Sequence, residues 1–191
     1  NNTAATASGI GGALVSFGGT IALINTLMYA NEATANGGAI SAEGGTINLI
    51  NCTIADNKAD RGGGVHFFSG SIQAVNSIFS NNSGGNGNFN DDGGAGTGTA
   101  NHCLFFNETE DNTGKLPPDI TGSENLEAVF PKYNTEYTLD YNSPAVDAGD
   151  TDAKSLEKDL NGVNRISNST IDIGAYEVKA CSDFGLDSII Y

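Results

Sequence analysis

Asparagine recurs along the first half of this chain in two columns, each with a period of 25 or 26 residues. The members are Asn25, Asn51, Asn76 and Asn101 in the first column, and Asn31, Asn57, Asn82 and Asn107 in the second. Each pair of asparagines follows a Gly-Gly pair, an apolar run, a small turn and an alternating run. A period of this length indicates a repeat architecture, in which each repeat stacks on its neighbours.

The repeat unit is predicted to contain strands, because its apolar residues alternate with period two and show no helical spacing. Three apolar columns keep the phase of the asparagines: Leu14, Ile40 and Val65; Ile21, Ile47 and Ile72; and Met28, Ile54, Phe79 and Leu104. Such stacking is typical of a parallel β-helix, with coils about 4.8 Å apart. Residues 83–100 are glycine-rich but keep the spacing, so we expect Phe89 to continue the column of Val65.

The asparagine columns are predicted to form bends of the coils. Asparagine tolerates the left-handed backbone conformation, and its amide can hydrogen-bond to the asparagine above and below. We therefore assign a structural role to both columns and expect them to face inward as amide ladders.

Charge and composition narrow the range of partners. The chain of 191 residues is long enough for one domain, and its formal net charge is −15. Such an acidic chain repels phosphate backbones and anionic lipids, which argues against binding to nucleic acid or to an anionic membrane surface. No apolar stretch is long enough to span a bilayer.

The cysteines do not predict a disulfide framework, since there are only three: Cys52, Cys103 and Cys181. Cys52 and Cys103 fall two coils apart, or roughly 10 Å, which is too far for a disulfide. We predict that both are free thiols in the core.

The chain divides into a repetitive and a non-repetitive part. Residues 1–107 are predicted to form about four coils, residues 108–177 a C-terminal section of the same domain, and residues 178–191 a linker or the start of a further module. We expect the C-terminal section to seal the last coil. Its apolar side chains for this role are Leu126, Val129, Phe130, Tyr137, Leu139, Val146, Ile171, Ile173 and Tyr176. Because the chain begins within a repeat, we expect a processed product or a piece of a longer protein.

Two sets of motifs resemble known bacterial families. The segments Gly11–Leu14, Gly37–Ile40, Gly63–Val65 and Phe79–Asn82 resemble the GGAI and FxxN repeats of polymorphic outer-membrane proteins. The segments Ser143–Asp150, Asp159–Arg165 and Asp172–Glu177 are similar to the C-terminal sections of secreted right-handed β-helix proteins of the choice-of-anchor type. The resemblance implies an all-β, right-handed parallel β-helix of the pectin-lyase-like kind, exported and held at the cell surface. It implies no catalytic residues.

An enzyme is the competing interpretation, because parallel β-helices also carry polysaccharide lyases and glycoside hydrolases. The candidate catalytic residues are Asp56, Asp60, Arg61 and His66, which lie close together in sequence near Lys58. A hydrolase needs two carboxylates that face one cleft. A lyase cleft for an acidic polymer would need basic residues on adjacent coils, and the corresponding positions are not basic. We expect a solvated loop here, with His66 facing outward.

The C-terminal section concentrates acidic residues that could serve either a metal or an ion pair. Asp147, Asp150, Asp152 and Asp159 are dense enough for a hard cation such as calcium, although their spacing is not that of an EF-hand. We favour a structural role, in which Arg165 forms a charge-assisted bond to Asp147, Asp159 or Asp172.

These observations favour a non-catalytic extracellular or cell-surface module, which acts in adhesion or in contact with a glycan. We expect a monomer without a resident cofactor, and an extracellular glycan or a cell-surface component as its partner. The alternative is a lyase or hydrolase that acts on a carbohydrate polymer.

Overall fold

A computed structural model describes residues 2–5, 9–85, 87–91, 95–108, 120–153, 156–166 and 170–179. The chain winds into a parallel β-solenoid of about four turns, which confirms the predicted fold class. Residues 46–50 pair in parallel with residues 71–75, as the period predicts. Cys181 and most of the predicted linker lie outside the described residues. The described part of the chain contains no helix whose length and apolar character would let it cross a bilayer.

Within the described residues, sixteen strands follow one another around the coils. The first coil is β2 (Leu14–Ile24), β3 (Leu27–Tyr29) and β4 (Glu32–Ala33), preceded by β1 (Thr3–Ala4). The second is β5 (Ile40–Ile50), β6 (Thr53–Ala55) and β7 (Lys58–Arg61). The third is β8 (Val65–Phe67), β9 (Ser71–Val75), β10 (Ile78–Ser80) and β11 (Ser83–Gly85). The fourth is β12 (Phe89–Asp91), β13 (Thr97–Asn101) and β14 (Leu104–Phe106), followed by β15 (Ile120–Thr121) and β16 (Leu126–Glu127).

Stacking of the coils produces three sheets. The long face contains β2, β5, β8, β9, β12, β13 and β15. The flank contains β3, β6, β10, β14 and β16, and the third face contains β1, β4, β7 and β11. Beyond β16 the described chain has only two short 3₁₀ turns, Thr135–Tyr137 and Thr151–Ala153, and two isolated antiparallel bridges.

The inward apolar columns form the core. The register joins Leu14, Ile40, Val65 and Phe89 on the long face, and it also aligns Ile21, Ile47 and Ile72, as predicted. On the flank the column runs through Met28, Ile54, Phe79 and Phe105, so the prediction of Leu104 as its fourth member was wrong. The rings of Phe79 and Phe105 stack with their centroids 5.3 Å apart.

The fourth coil is shifted by one residue from the predicted register. Asn101 pairs with Val75, and the next residue, His102, occupies the left-handed bend position of Asn76 with φ +49°. Asn107 is likewise displaced by one position, although its Nδ2 donates to the carbonyl of Asn82 at 3.0 Å. The glycine-rich segment that precedes β13 is one residue longer than the period suggested.

The first asparagine column supplies bends and not a ladder. Asn25, Asn51 and Asn76 have φ values of +48°, +51° and +49°, in the left-handed region. The amides of Asn25 and Asn76 bond to the C-terminal section, and the buried amide of Asn51 makes no hydrogen bond to any described residue. The predicted ladder in this column was therefore wrong.

The second column forms the ladder. Asn57 Oδ1 accepts hydrogen bonds from both the backbone N–H and the Nδ2 of Asn31, each at 2.9 Å. Asn82 Oδ1 accepts the same two bonds from Asn57, at 3.0 and 2.9 Å. All three side chains are buried. The left-handed residue at this bend is the preceding one, as in Asp56 with φ +54°, which leaves the asparagine free to point inward.

The Gly-Gly pairs are explained by two separate constraints. Gly37 has φ +65°, a conformation that glycine adopts without steric cost. A Cβ on Gly38 would lie 2.1 Å from the carbonyl oxygen of Gly63 in the next coil, so a side chain is excluded there.

Cys52 and Cys103 are buried free thiols, as predicted. Burial raises the pKa of Cys52 to about 11 and that of Cys103 to about 12. Both thiols are therefore protonated at neutral pH and unreactive.

We predict that Asn57→Leu lowers the free energy of unfolding by about 2–4 kcal/mol, because it leaves two buried donors on Asn31 without their acceptor and removes one of the two hydrogen bonds to Asn82 Oδ1. Urea unfolding followed by circular dichroism measures the change. The control is Asn51→Gly, which keeps the left-handed bend and removes a buried amide that bonds to no described residue; it should change stability by less than about 1 kcal/mol. Equal losses in the two variants would contradict the division of roles between the columns.

Candidate functional site

The outer face of the flank is apolar, and the C-terminal section covers it. Ile78 and Leu104 point away from the core and pack against Leu139, Ala145 and Ile173. Contacts extend back to the first coil, where Asn25 Nδ2 donates to the carbonyl of Lys158. The start of this section stacks on the last coil as expected, where β15 pairs with β13 and β16 pairs with β14, whereas the cluster around Leu139, Ala145 and Ile173 lies along the side of the solenoid.

Arg165 fastens the section to the first coil. Its side chain is fully buried, and Nη1 donates to Glu177 Oε1 at 3.0 Å and to the carbonyl of Gly174 at 2.9 Å. Nη2 donates to Oδ1 of Asn25. The first asparagine column thus provides an acceptor for the arginine that holds the section in place.

The carboxylate partner of Arg165 is Glu177 and not one of the predicted aspartates. Asp172 instead accepts backbone N–H groups from Asp147 and Val178, at 2.8 and 2.7 Å. Asp159 Oδ2 accepts the backbone N–H of Glu177 at 2.8 Å. These aspartates fix the backbone around the ion pair, because a buried N–H without an acceptor is costly.

The aspartates considered for calcium serve local turns. Asp150 Oδ1 accepts the N–H of Asp152 at 2.9 Å, and Asp159 Oδ1 accepts the N–H groups of Asn161 and Val163 at 2.9 and 2.7 Å. Among the described residues, no group of three or more His, Cys, Asp or Glu side chains is placed to hold a metal ion.

Two carboxyl groups of the Arg165 network have raised pKa values. Burial raises the pKa of Asp172 to about 6. Burial, followed by the charge of Asp172, raises the pKa of Glu177 to about 8, and the contact with Arg165 opposes this shift only in part. This network is enclosed, so its role is to stabilise the packing and not to meet a ligand.

A cleft lined by tyrosines lies where the C-terminal section meets the first coil. It has a volume of about 270 Å³ and is lined by Leu27, Tyr29, Glu136, Tyr137 and Tyr176. Tyr29 projects outward from β3, while the other aromatic residues come from the 3₁₀ turn and from the segment that contains Glu177. The ring centroids of Tyr29 and Tyr137 are 5.1 Å apart, with the rings inclined at 45°.

The turn that presents Tyr137 has an unusual backbone. Glu136 and Tyr137 have φ values of +57° and +62°, in a region that residues other than glycine seldom adopt. The Tyr137 hydroxyl donates to Asp56 Oδ2 at 2.6 Å, and its ring packs edge-on against Tyr133 at 5.3 Å. Non-glycine residues in such conformations cluster at functional sites, where surrounding contacts hold them.

The electrostatic environment of the cleft is acidic. Burial, followed by the hydrogen bond to Asp56, raises the pKa of Tyr137 above its ordinary value. Burial, followed by the charges of Glu136 and Asp159, raises the pKa of Tyr176. The rings therefore stay neutral at physiological pH, next to carboxylates, and the described lining residues include no lysine or arginine.

The predicted catalytic cluster is divided among three places. Asp56 bonds to Tyr137 beside the cleft, while Asp60 and Arg61 lie exposed on β7 of the third face. His66 lies on β8 of the long face between the inward residues Val65 and Phe67, so it points away from the core as predicted, but it is buried and not solvated. Its neighbours in register, Ser41 and Asn90, are buried as well.

Sequence analysis missed Tyr29, Tyr137 and Tyr176, because these residues are far apart in the chain. One signal was available: Leu27 and Tyr29 occupy alternate positions to Met28, so an inward Met28 places both outward. An outward apolar and aromatic pair predicts a covering segment or a ligand.

Comparisons with family models, with curated proteins and with solved structures gave no match. The fold and the cleft are therefore the basis for a functional conclusion.

We predict that Arg165→Ala lowers the free energy of unfolding by about 3–5 kcal/mol, because Glu177 would remain buried without its partner. Chemical unfolding measures the loss. The control is Lys58→Ala, which breaks an exposed pair with Glu32 of 3.5 Å and should cost about 0–1 kcal/mol. The double variant R165M/E177Q should lose less than Arg165→Ala, because no charge stays buried. A loss under about 1 kcal/mol for Arg165→Ala would contradict its role as the anchor.

Stability should fall as pH rises through the raised pKa values of Asp172 and Glu177. Between the ordinary carboxyl pKa of about 4 and the folded values of about 6 and about 8, the folded state binds more protons than the unfolded state. Thermal unfolding as a function of pH should therefore show a falling Tm, with a shallower fall in Glu177→Gln. Glu127→Gln removes an exposed charge and controls for the general effect of net charge. Parallel curves for Glu177→Gln and wild type would contradict the assignment.

Proposed function

We propose that this protein is a non-catalytic extracellular module that contacts a glycan through the tyrosine cleft. The observation that carries the proposal is a pair of packed rings, Tyr29 and Tyr137, which we call the wedge. Tyr176 and Glu136 line the same cleft. Tyrosine rings offer apolar faces to the C–H surface of a sugar and hydroxyls to its polar groups. Carboxylate oxygens accept hydrogen bonds from sugar hydroxyls.

The position of the cleft supports binding more than structural packing. Its walls come from two separately packed parts of the chain, the first coil and the C-terminal section. Ligand sites occur preferentially at such junctions, as concave and largely pre-formed clefts with a few polar groups.

Placement at a bacterial cell surface is part of the proposal. It rests on the resemblance of the Gly-Gly repeats to polymorphic outer-membrane proteins, and of Ser143–Asp150 and Asp172–Glu177 to choice-of-anchor sections. Two buried protonated thiols, Cys52 and Cys103, are compatible with this environment because they are shielded from oxidants.

The alternative is a glycoside hydrolase that uses Asp56 and Glu136, the two carboxylates nearest to the wedge. We favour binding, because Asp56 already accepts the hydroxyl of Tyr137 and so holds the aromatic wall. A lyase has less support, since Arg61 and His66 do not lie at the cleft.

We predict that Tyr29→Ala and Tyr137→Ala each weaken glycan binding by at least about tenfold, because each removes one wall of the wedge and about 1.4 kcal/mol corresponds to tenfold. A glycan array identifies the ligand, and titration calorimetry on the best ligand measures the affinity. Tyr141→Ala is the matched control, since Tyr141 is 74% exposed and does not line the cleft; it should bind as wild type does.

Circular dichroism of the variants separates loss of binding from loss of fold. An assay for new reducing ends and unsaturated products accompanies the array. Product formation that is abolished by Asp56→Asn or Glu136→Gln would replace the binding function with a hydrolase or lyase. Binding that survives both tyrosine substitutions would place the glycan elsewhere and contradict the proposed site.

A further inference from the structure

The two rings of the wedge pack against each other and form one aromatic surface in the lining of the cleft. Their centroids are 5.1 Å apart and their planes are inclined at 45°. The face of an aromatic ring carries negative charge and attracts a cation within about 6 Å of its centroid. Tyr176 adds a third ring to the lining.

Two carboxylates lie at the cleft. Glu136 is part of its lining, and Asp56 accepts the hydroxyl of Tyr137. Together with a formal net charge of −15, this environment attracts cations and repels acidic sugars.

The size of the cleft limits the occupant to one unit. Its volume of about 270 Å³ is slightly smaller than the pockets that hold drug-sized ligands, which have volumes of about 300–1,000 Å³. It can therefore accept one sugar ring with a small substituent, and not several rings of a polymer.

Ring faces, a carboxylate and a small volume together specify a chemical class. Resting on the proposed glycan contact, we propose that the tyrosine cleft selects a sugar unit that carries a protonated primary amine, such as a deacetylated hexosamine. The ammonium group lies in the cleft against the faces of Tyr29 and Tyr137, and Glu136, which lines the same cleft, provides its counter-charge. An N-acetylated hexosamine lacks the charge and is larger, so it gains neither the cation–π contact nor the ion pair.

Titration calorimetry of the full chain with two short oligomers tests this selection. One is a β-1,4-linked oligomer of glucosamine, and the other is its fully N-acetylated counterpart of equal length, both at a mildly acidic pH. We expect the amine form to bind at least about tenfold more tightly, since a cation–π contact contributes about 0.5–2 kcal/mol and an ion pair adds to it. The advantage should shrink as salt is raised.

Two variants of the lining, one that removes a charge and one that removes a ring, decide whether the cleft is responsible. Glu136→Gln should abolish most of the preference for the amine form, and Tyr137→Ala should weaken its binding at least about tenfold. Glu127→Gln removes an exposed carboxylate on β16, away from the cleft, and should leave the preference unchanged.

Each contrary result has a distinct meaning. Equal binding of both oligomers that is lost in Tyr137→Ala would overturn the amine selection and leave the proposed glycan contact standing. A preference that drops equally in Glu127→Gln and Glu136→Gln would reduce it to general attraction by an acidic protein and overturn the inference. Binding of neither oligomer would overturn the selection, and the glycan array would then decide the proposed function separately.

Discussion

The outward apolar column of the flank is the constraint on which the rest of the structure depends. A strand in a solenoid alternates its side chains between the core and the outside, so inward Met28, Phe79 and Phe105 leave Ile78 and Leu104 outside. Parallel sheets are stable when both faces are covered. The C-terminal section supplies that cover, and its path back to the first coil brings aromatic residues against β3 and creates the cleft.

Polar groups inside this fold have separate roles. The buried ladder through Asn57 satisfies the backbone at one bend of every coil it joins, independently of the C-terminal section. The other bend uses asparagine for its left-handed backbone, which leaves the amides of Asn25 and Asn76 available to the covering segment. Arg165 therefore joins Asn25, a bend residue of the repeats, to the non-repetitive C-terminal section. This contact fixes where the section lies along the flank, because Arg165 can bond to Asn25 in only one position of the section.

The sequence predicts the solenoid well, because a period of 25–26 residues with conserved side-chain type in each column has few other physical explanations. It predicts the fourth coil less well, since one extra residue before Asn101 shifts the register without disturbing the apparent asparagine spacing. It predicts an ion pair for Arg165 but does not identify Glu177 as the carboxylate, because that partner depends on how a non-repetitive segment folds back. Tyr137 could not be assigned to a site for the same reason. The outward pair Leu27 and Tyr29 was the available clue to a covered surface.

The proposed function depends on the packing of the C-terminal section against the flank. Without this section, Tyr29 would be a lone exposed aromatic residue. The cleft then unites three tyrosines with carboxylates in a volume suited to one sugar unit. A crystal structure of the chain soaked with the glucosamine oligomer tests this claim most directly. We expect the terminal sugar to lie against the faces of Tyr29 and Tyr137, with its amine within hydrogen-bond distance of Glu136. A C-terminal section detached from the flank, or a sugar bound on the long face, would contradict it.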